Sequence, residues 1–193
     1  MISEKLASGS VEYAYSEIEK YGLPTKLHFD LSLKKGREIA EKLDADTALV
    51  QVGVALMDIK LGEAFSTGRL AEHVRMGVEA ARDFLVKYEL NGELREKIVN
   101  CIEAHHGAVP FSCLESEIVT NADCYRFMHP AGVIHYIGTL SKRGLTLEKL
   151  VEQAEAKLDE KYALLSLDVS KAELLPFYED MKRIFAAATT VVG

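Results

Sequence analysis

The sequence predicts an all-α protein. Apolar residues recur at spacings of three and four residues through nearly all of the 193-residue chain. Turn-flanked runs of alternating β-branched residues, which are typical of hairpins, are not evident. Short breaks containing glycine, proline or asparagine separate the periodic segments. We therefore expect one all-α domain, residues 1–193, built as a helical bundle with short loops.

The composition excludes several classes of protein. With 48% apolar and 27% charged residues, the chain can form a substantial core and does not resemble a disordered protein. The net charge of −7 and the lack of a dense basic run argue against nucleic acid as a partner. Three widely spaced cysteines without a CxxC pair argue against a disulfide framework and a zinc ribbon.

Targeting and membrane signals are also missing from the sequence. The first residues lack the apolar segment of a signal peptide. No run approaches the roughly 18 uninterrupted apolar residues of a membrane span. We therefore expect a cytoplasmic protein with no membrane partner.

Two amphipathic helices are predicted at the start of the chain. The first covers residues 2–20 and is ended by Gly22-Leu23-Pro24. The second covers residues 26–43 and carries His28 in its first turn.

The third predicted helix begins near the cap-like pair Asp46-Thr47 and ends at Asp58. It is almost continuously apolar, and the alternation of Val50, Val52 and Val54 would also suit a buried strand. The helix is preferred because no β-rich partner segment occurs elsewhere, and a lone strand cannot satisfy its backbone.

The middle of the chain predicts a loop followed by two helices. Residues 60–66 are expected to form the loop, because Gly62 lies within them. The next helix is expected from about Thr67 to Tyr88, and Asn91-Gly92 separates it from a helix over Glu93–His105.

The last part of the chain predicts further helices, with a break at His129-Pro130. The first of these helices carries Asp123. The predicted ranges are residues 115–127, 133–141, 146–163 and 170–188.

Asp58 is the residue that most requires an explanation, because it ends the apolar segment Gly53–Ile59. A buried carboxylate is unfavourable unless it is paired or binds a metal. The alternative is a carboxylate at a solvated helix end that caps the next turn. Further candidates lie far away in sequence, on helix ends and boundaries, and can converge in a helical core. They are His28, His73, one of His105 and His106, and Asp123.

Imidazole and carboxylate together suit Mn, Fe, Co, Ni or Zn, and such an ion activates water and polarises a phosphoryl oxygen. A single histidine at a helix boundary is more often a capped or solvent-tipped side chain. His129 and His135 are assigned to that structural role.

The order and local context of these residues resemble the HD-domain metal-dependent phosphohydrolases. The resemblance covers about residues 25–165, with the C-terminal helices at about 146–190 partly beyond it. The matching elements are His28, Met57-Asp58-Ile59 at the His-Asp doublet, His73 followed by Gly77, Ile102-Glu103-Ala104-His105-His106, and Asn121-Ala122-Asp123.

The resemblance implies a role for each matched position. Asp58 would be the catalytic residue that holds the metal and orients the attacking water, and Lys60 and Arg126 would bind the phosphate. Arg126 lies three residues after Asp123 and so on the same helix face, although a solvated surface arginine is the alternative. The implied metal ligands are His28, Asp58, His73, His105 and Asp123.

One position departs from the pattern: Met57 replaces the doublet's histidine, and a thioether is a weak ligand for a hard divalent ion. The lysine that often follows the doublet is also shifted, since Lys60 precedes Leu61. The usual site would retain His28, Asp58 and Asp123, whereas a second site would use His73 and His105 with Asp58 as a bridge.

Three functions therefore remain open. The first is a metal-dependent phosphohydrolase that acts on a small phosphate ester, with a nucleotide as the expected type. The second is a degenerate, non-catalytic protein that senses a nucleotide, which Met57 favours. The third is a helical interaction module based on the helices at 146–163 and 170–188.

Overall fold

The computed structural model describes residues 1–190, which form helices and connections and no strand. The prediction of an all-α helical bundle is confirmed. The helices are α1 Glu4–Tyr21, α2 Lys26–Lys42, α3 Thr47–Met57, α4 Leu61–Ser66, α5 His73–Leu85, α6 Gly92–Ala104, α7 Leu114–Met128, α8 Pro130–Ser141, α9 Leu147–Leu164 and α10 Asp168–Thr189, with a 3₁₀ turn at Leu70–Glu72.

The chain divides into two compact units, Met1–Ala122 and a second that begins at Asp123. The expectation of a single domain with an HD-like core over about 25–165 stays a prediction. Within residues 1–190, no helix is both long enough and apolar enough to cross a membrane.

Helix α3 is the centre of the first unit. Apart from Gln51, every residue from Leu49 to Met57 is buried, and α3 contacts α1, α2 and α6. A helix that is surrounded on all sides is apolar all round, which hides its 3.6-residue period. This explains why Val50, Val52 and Val54 also matched a strand pattern.

The predicted loop at residues 60–66 is wrong, because the structure forms α4 there. Gly62 is required for close approach: a Cβ atom at this position would lie 2.6 Å from the Leu23 carbonyl oxygen. The glycine is therefore a packing residue inside a short helix, which sequence reasoning interpreted as a loop signal.

The helix expected from Thr67 to Tyr88 is shorter than predicted. Gly68 adopts a left-handed conformation with φ +71°, and Arg69 N–H donates to the Ala64 carbonyl at 2.7 Å, which ends α4. The chain then passes through the 3₁₀ turn before α5 begins. His73 is consequently the first residue of α5 instead of a residue inside a helix.

Side-chain caps fix the ends of the other helices that position the candidate residues. The Asp46 carboxylate accepts hydrogen bonds from Ala48 N–H and Leu49 N–H at the start of α3, as the cap-like pair predicted. The Asn91 side chain accepts from Leu94 N–H at the start of α6. Because α6 ends at Ala104, His105 lies at its C-cap.

The second unit contains α8, α9 and α10, and α9 packs against both of the others. The buried face of α9 consists of Leu150, Val151, Ala154, Leu158 and Lys161. A fully buried lysine in line with four apolar residues requires a charge partner.

The contact of α3 with its neighbours at Gly53 generates a prediction. A Cβ atom on Gly53 would lie 2.8 Å from Val119 Cγ2 and 2.9 Å from Cys101 Cβ. Gly53→Ala should therefore lower the free energy of unfolding by about 1–3 kcal/mol, as measured by urea denaturation. Gly92→Ala, which meets open space in the same unit, should change it by less than about 0.5 kcal/mol. Equal effects of the two substitutions would contradict the packing argument.

Candidate metal centre

Four side chains converge in the first unit to form a cluster that could hold a metal ion. They are Asp58 at the end of α3, His73 at the start of α5, and His105 and His106 after α6. One potential ligand atom from each lies within 4.8 Å of the other three. We call this set the Asp–His cluster.

Asp58 occupies an unfavourable position for a negative charge. It is only 7% exposed and is the C-cap of α3, where the helix dipole presents its negative end. The alternative that Asp58 caps the following helix is wrong, because Lys60 is the N-cap of α4 and no side chain caps it. Burial and the helix dipole both disfavour the negatively charged form of the Asp58 carboxylate. A bound cation would offset both effects.

The tautomer of His105 is fixed by its backbone neighbour. His105 Nδ1 lies 2.6 Å from the Ile102 carbonyl oxygen, and since a carbonyl only accepts, Nδ1 carries the proton. In a neutral ring, Nε2 is then the unprotonated nitrogen, and it lies 3.4 Å from Asp58 Oδ1. Among the residues that the structure describes, this buried nitrogen has no hydrogen-bond partner.

His73 has the same arrangement. Its Nδ1 lies 2.8 Å from the Leu70 carbonyl oxygen, in the 3₁₀ turn that precedes α5. Its Nε2 lies 3.7 Å from Asp58 Oδ1. A backbone carbonyl behind the imidazole is the usual support of a metal-bound histidine, because it orients the ring and holds the proton on Nδ1.

His106 completes the cluster. Its Nε2 lies 3.1 Å from His73 Nε2, and its ring centroid lies 4.0 Å from that of His105. The sequence analysis retained only one of the two adjacent histidines as a ligand. The structure brings both to the cluster.

The donor set fits a divalent transition metal. Tetrahedral ligands with bonds of about 2.0–2.1 Å lie about 3.3 Å apart. The separations in the Asp–His cluster are 3.1 Å between His73 and His106 nitrogens, and 3.4 and 3.7 Å between Asp58 and the two supported histidines. Three imidazoles and one carboxylate suit Mn, Fe, Co, Ni or Zn better than Mg.

Two other residues that match the family pattern, His28 and Met57, are buried in the first unit. His28 is 5% exposed, and its backbone N–H donates to Thr25 Oγ1 at the start of α2. Its role as a ligand stays a prediction. Met57 is 2% exposed at the end of α3, which is the environment expected of an apolar core residue.

Asp123 belongs to the second unit, where two cations contact it. Arg126 Nη1 lies 2.7 Å from Asp123 Oδ1, and Lys161 Nζ lies 2.6 Å from Asp123 Oδ2. The role of Asp123 as a ligand stays a prediction. The alternative of a solvated surface arginine is wrong, since Arg126 is 4% exposed.

Lys161 is a residue that the sequence analysis missed. Burial opposes its charged form, but the Asp123 carboxylate outweighs this effect and the pKa of Lys161 lies above its usual value. A signal was present in the sequence, because Lys161 continues the apolar stripe of α9 after Leu158. A lysine at a buried position of that stripe indicates an acidic partner.

Lys60 is also held in ion pairs. Its Nζ lies 2.9 Å from Glu17 Oε2 and 2.8 Å from Glu63 Oε2. Burial opposes its charge, but these glutamates raise its pKa. Binding of phosphate by Lys60 and Arg126 stays a prediction.

The helical architecture belongs to a known fold class: the chain shares the fold of a solved structure described as a predicted HD superfamily hydrolase. The resemblance drawn from the sequence is thereby confirmed for the fold. No family model matches the chain.

Similarity to solved structures extends over almost the whole chain. Bacillus subtilis YpgQ superposes with a TM-score of 0.71 at 17% identity, covering 97% of this chain and 96% of YpgQ. That protein has also been solved in complex with ADP. A predicted HD superfamily hydrolase from an uncultured Thermotogales bacterium gives a TM-score of 0.59 at 17% identity, covering 82% of this chain and 86% of the other.

Sequence similarity is confined to a shorter stretch. Ribonuclease Y of Finegoldia magna is 29% identical over 126 residues, which are 65% of this chain and 22% of that protein. The chain thus spans about a fifth of the length of the curated relatives it matches.

The cluster geometry predicts stabilisation by metal. A divalent ion such as Mn²⁺ or Co²⁺, at a hundred times its dissociation constant, should raise the free energy of unfolding by about 2.7 kcal/mol. Thermal unfolding with and without the ion measures this effect. The substitutions Asp58→Asn and His105→Gln should each abolish it, because each removes one ligand atom.

The matched control is His135→Gln on α8, outside the Asp–His cluster, which should keep the full stabilisation. An equal shift in wild type and Asp58→Asn would mean that the ion binds elsewhere.

Proposed function

We propose that this chain is a metal-dependent phosphohydrolase of the HD type that acts on a small phosphate ester. The observation that supports this most strongly is the Asp–His cluster, in which two imidazoles oriented by backbone carbonyls face a buried carboxylate. A divalent cation bound there would compensate the carboxylate and would accept the lone pairs of neutral imidazoles.

Each residue of the cluster has a definite task in this proposal. Asp58 would hold the ion through its carboxylate and would orient the attacking water. His73 and His105, supported by the Leu70 and Ile102 carbonyls, would provide nitrogen ligands on rings that are already oriented. When bound, the ion supplies an activated water and polarises a phosphoryl oxygen.

A nucleotide is the proposed type of substrate. YpgQ, which shares the fold, has been solved with ADP, and the curated relative is named as a ribonuclease. ADP and the substrate implied by the name ribonuclease both contain a phosphate attached to a nucleoside. The net charge of −7 favours a small nucleotide over a long nucleic acid for this chain.

The second candidate function is a non-catalytic nucleotide sensor, and Met57 is the specific observation that favours it. The side chain is buried and apolar at the position of the doublet's histidine. A thioether cannot replace an imidazole as a ligand for a hard divalent ion. A sensor would bind a nucleotide without metal-dependent turnover.

Turnover assays distinguish the two functions. We expect the wild type to hydrolyse at least one member of a panel of nucleotides and simple phosphate esters in the presence of Mn²⁺, Co²⁺, Ni²⁺ or Zn²⁺. Asp58→Ala should lower kcat/KM by about a hundredfold or more, because it removes both the ligand and the group that orients water. Met57→His should increase metal content and affinity and change the rate only modestly.

Asp83→Ala serves as the control, since Asp83 is an exposed acid on α5 outside the cluster. Activity that survives Asp58→Ala would show that the site is wrong. A wild type that no metal activates, but that a nucleotide stabilises thermally, would favour the sensor.

A further inference from the structure

The second unit contains a buried group of three charges, which we call the Asp123 triad: Asp123, Arg126 and Lys161. Their exposed fractions are 1%, 4% and 0%. Each carboxylate oxygen is contacted by a different cation, Oδ1 by Arg126 Nη1 at 2.7 Å and Oδ2 by Lys161 Nζ at 2.6 Å. The Arg126 contact is a charge-assisted hydrogen bond, whereas the Lys161 contact is an ion pair without hydrogen-bond geometry.

The surroundings strengthen these two ion pairs. The Phe127 ring lies 5.3 Å from Arg126 Cζ and 5.9 Å from Lys161 Nζ, so that an aromatic face borders both cations. With little water nearby, the attraction between opposite charges is much stronger than at a surface. Removing one partner from such a pair is strongly unfavourable, because it leaves the other charge buried.

A metal ligand has a different requirement from a counter-ion. A carboxylate that binds a divalent ion must direct at least one oxygen lone pair at the metal, and a second positive charge nearby repels the ion. In the Asp123 triad, both oxygens already face side-chain cations. The ligand role that the family resemblance implies for Asp123 therefore does not fit this chain.

We propose that Lys161 and Arg126 are built-in counter-cations of Asp123, and that Asp123 ligates no metal ion. The chain then binds one ion, at the Asp–His cluster. This inference rests on the proposed function for the cluster itself, but it assigns Asp123 a structural ion-pair role in place of a metal-binding one.

Metal content tests the inference directly. Protein loaded with excess Mn²⁺ and then desalted should contain about one ion per chain, as measured by elemental analysis. Asp123→Asn, which keeps the shape of the side chain and removes its charge, should still contain about one ion and bind it within about threefold of the wild-type affinity. The matched substitution Asp58→Asn should lose the ion.

A double-mutant cycle tests the counter-ion role without any metal. In EDTA, Asp123→Leu and Lys161→Met should each lower the Tm by several degrees, because each leaves a buried charge unpaired. The double substitution should lower it by clearly less than the sum of the two. If a single variant does not fold, recovery of folding in the double variant is the same result.

Three outcomes would overturn the inference: two ions in the wild type, loss of the ion in Asp123→Asn as in Asp58→Asn, or additive effects in the cycle. A wild type without any bound ion would instead refute the proposed function. The double-mutant cycle would then still decide whether Lys161 is the counter-cation of Asp123.

Discussion

A buried carboxylate at the negative end of a helix is the constraint on which the first unit depends. Asp58 closes α3, whose neighbouring residues are almost all apolar, so neither water nor the helix dipole stabilises its charge. The compensation has to come from other elements. Helix α5 and the end of α6 bring imidazoles to within 3.7 Å and 3.4 Å of Asp58 Oδ1, where they and the carboxylate could share a bound cation.

Two connections of the first unit place backbone carbonyls beside the histidines that face Asp58. Gly68 ends α4 with a left-handed residue, and the 3₁₀ turn that follows places the Leu70 carbonyl behind His73. Helix α6 ends at Ala104, and the Ile102 carbonyl supports His105 in the same way. In both cases a carbonyl three residues before the histidine fixes the tautomer, so local backbone geometry determines the chemistry of the site.

Sequence reasoning predicted the all-α fold because the 3.6-residue period is a local property that most helices show. It found Asp58 because a lone acid in an apolar segment stands out. It missed α4, since the reason for Gly62 is the Leu23 carbonyl, which lies about forty positions away in the chain. The contact between Lys161 and Asp123 is equally non-local, and nothing in their spacing specifies it. Such pairings depend on how helices pack.

Asp58 and Asp123, the two acids that match the family pattern, have different kinds of neighbours. Asp123 is paired with protonated side chains, which supply positive charge from within the chain. Asp58 faces imidazoles whose Nδ1 atoms are held by backbone carbonyls, which leaves the Nε2 atoms of His73 and His105 directed towards the carboxylate. This second arrangement is the one that suits a cation from solution. On this proposal, a metal ion belongs to the Asp–His cluster of the first unit, whereas Lys161 and Arg126 supply the positive charge beside Asp123 in the second unit. The buried thioether of Met57, next to Asp58, adds no strong ligand to either place.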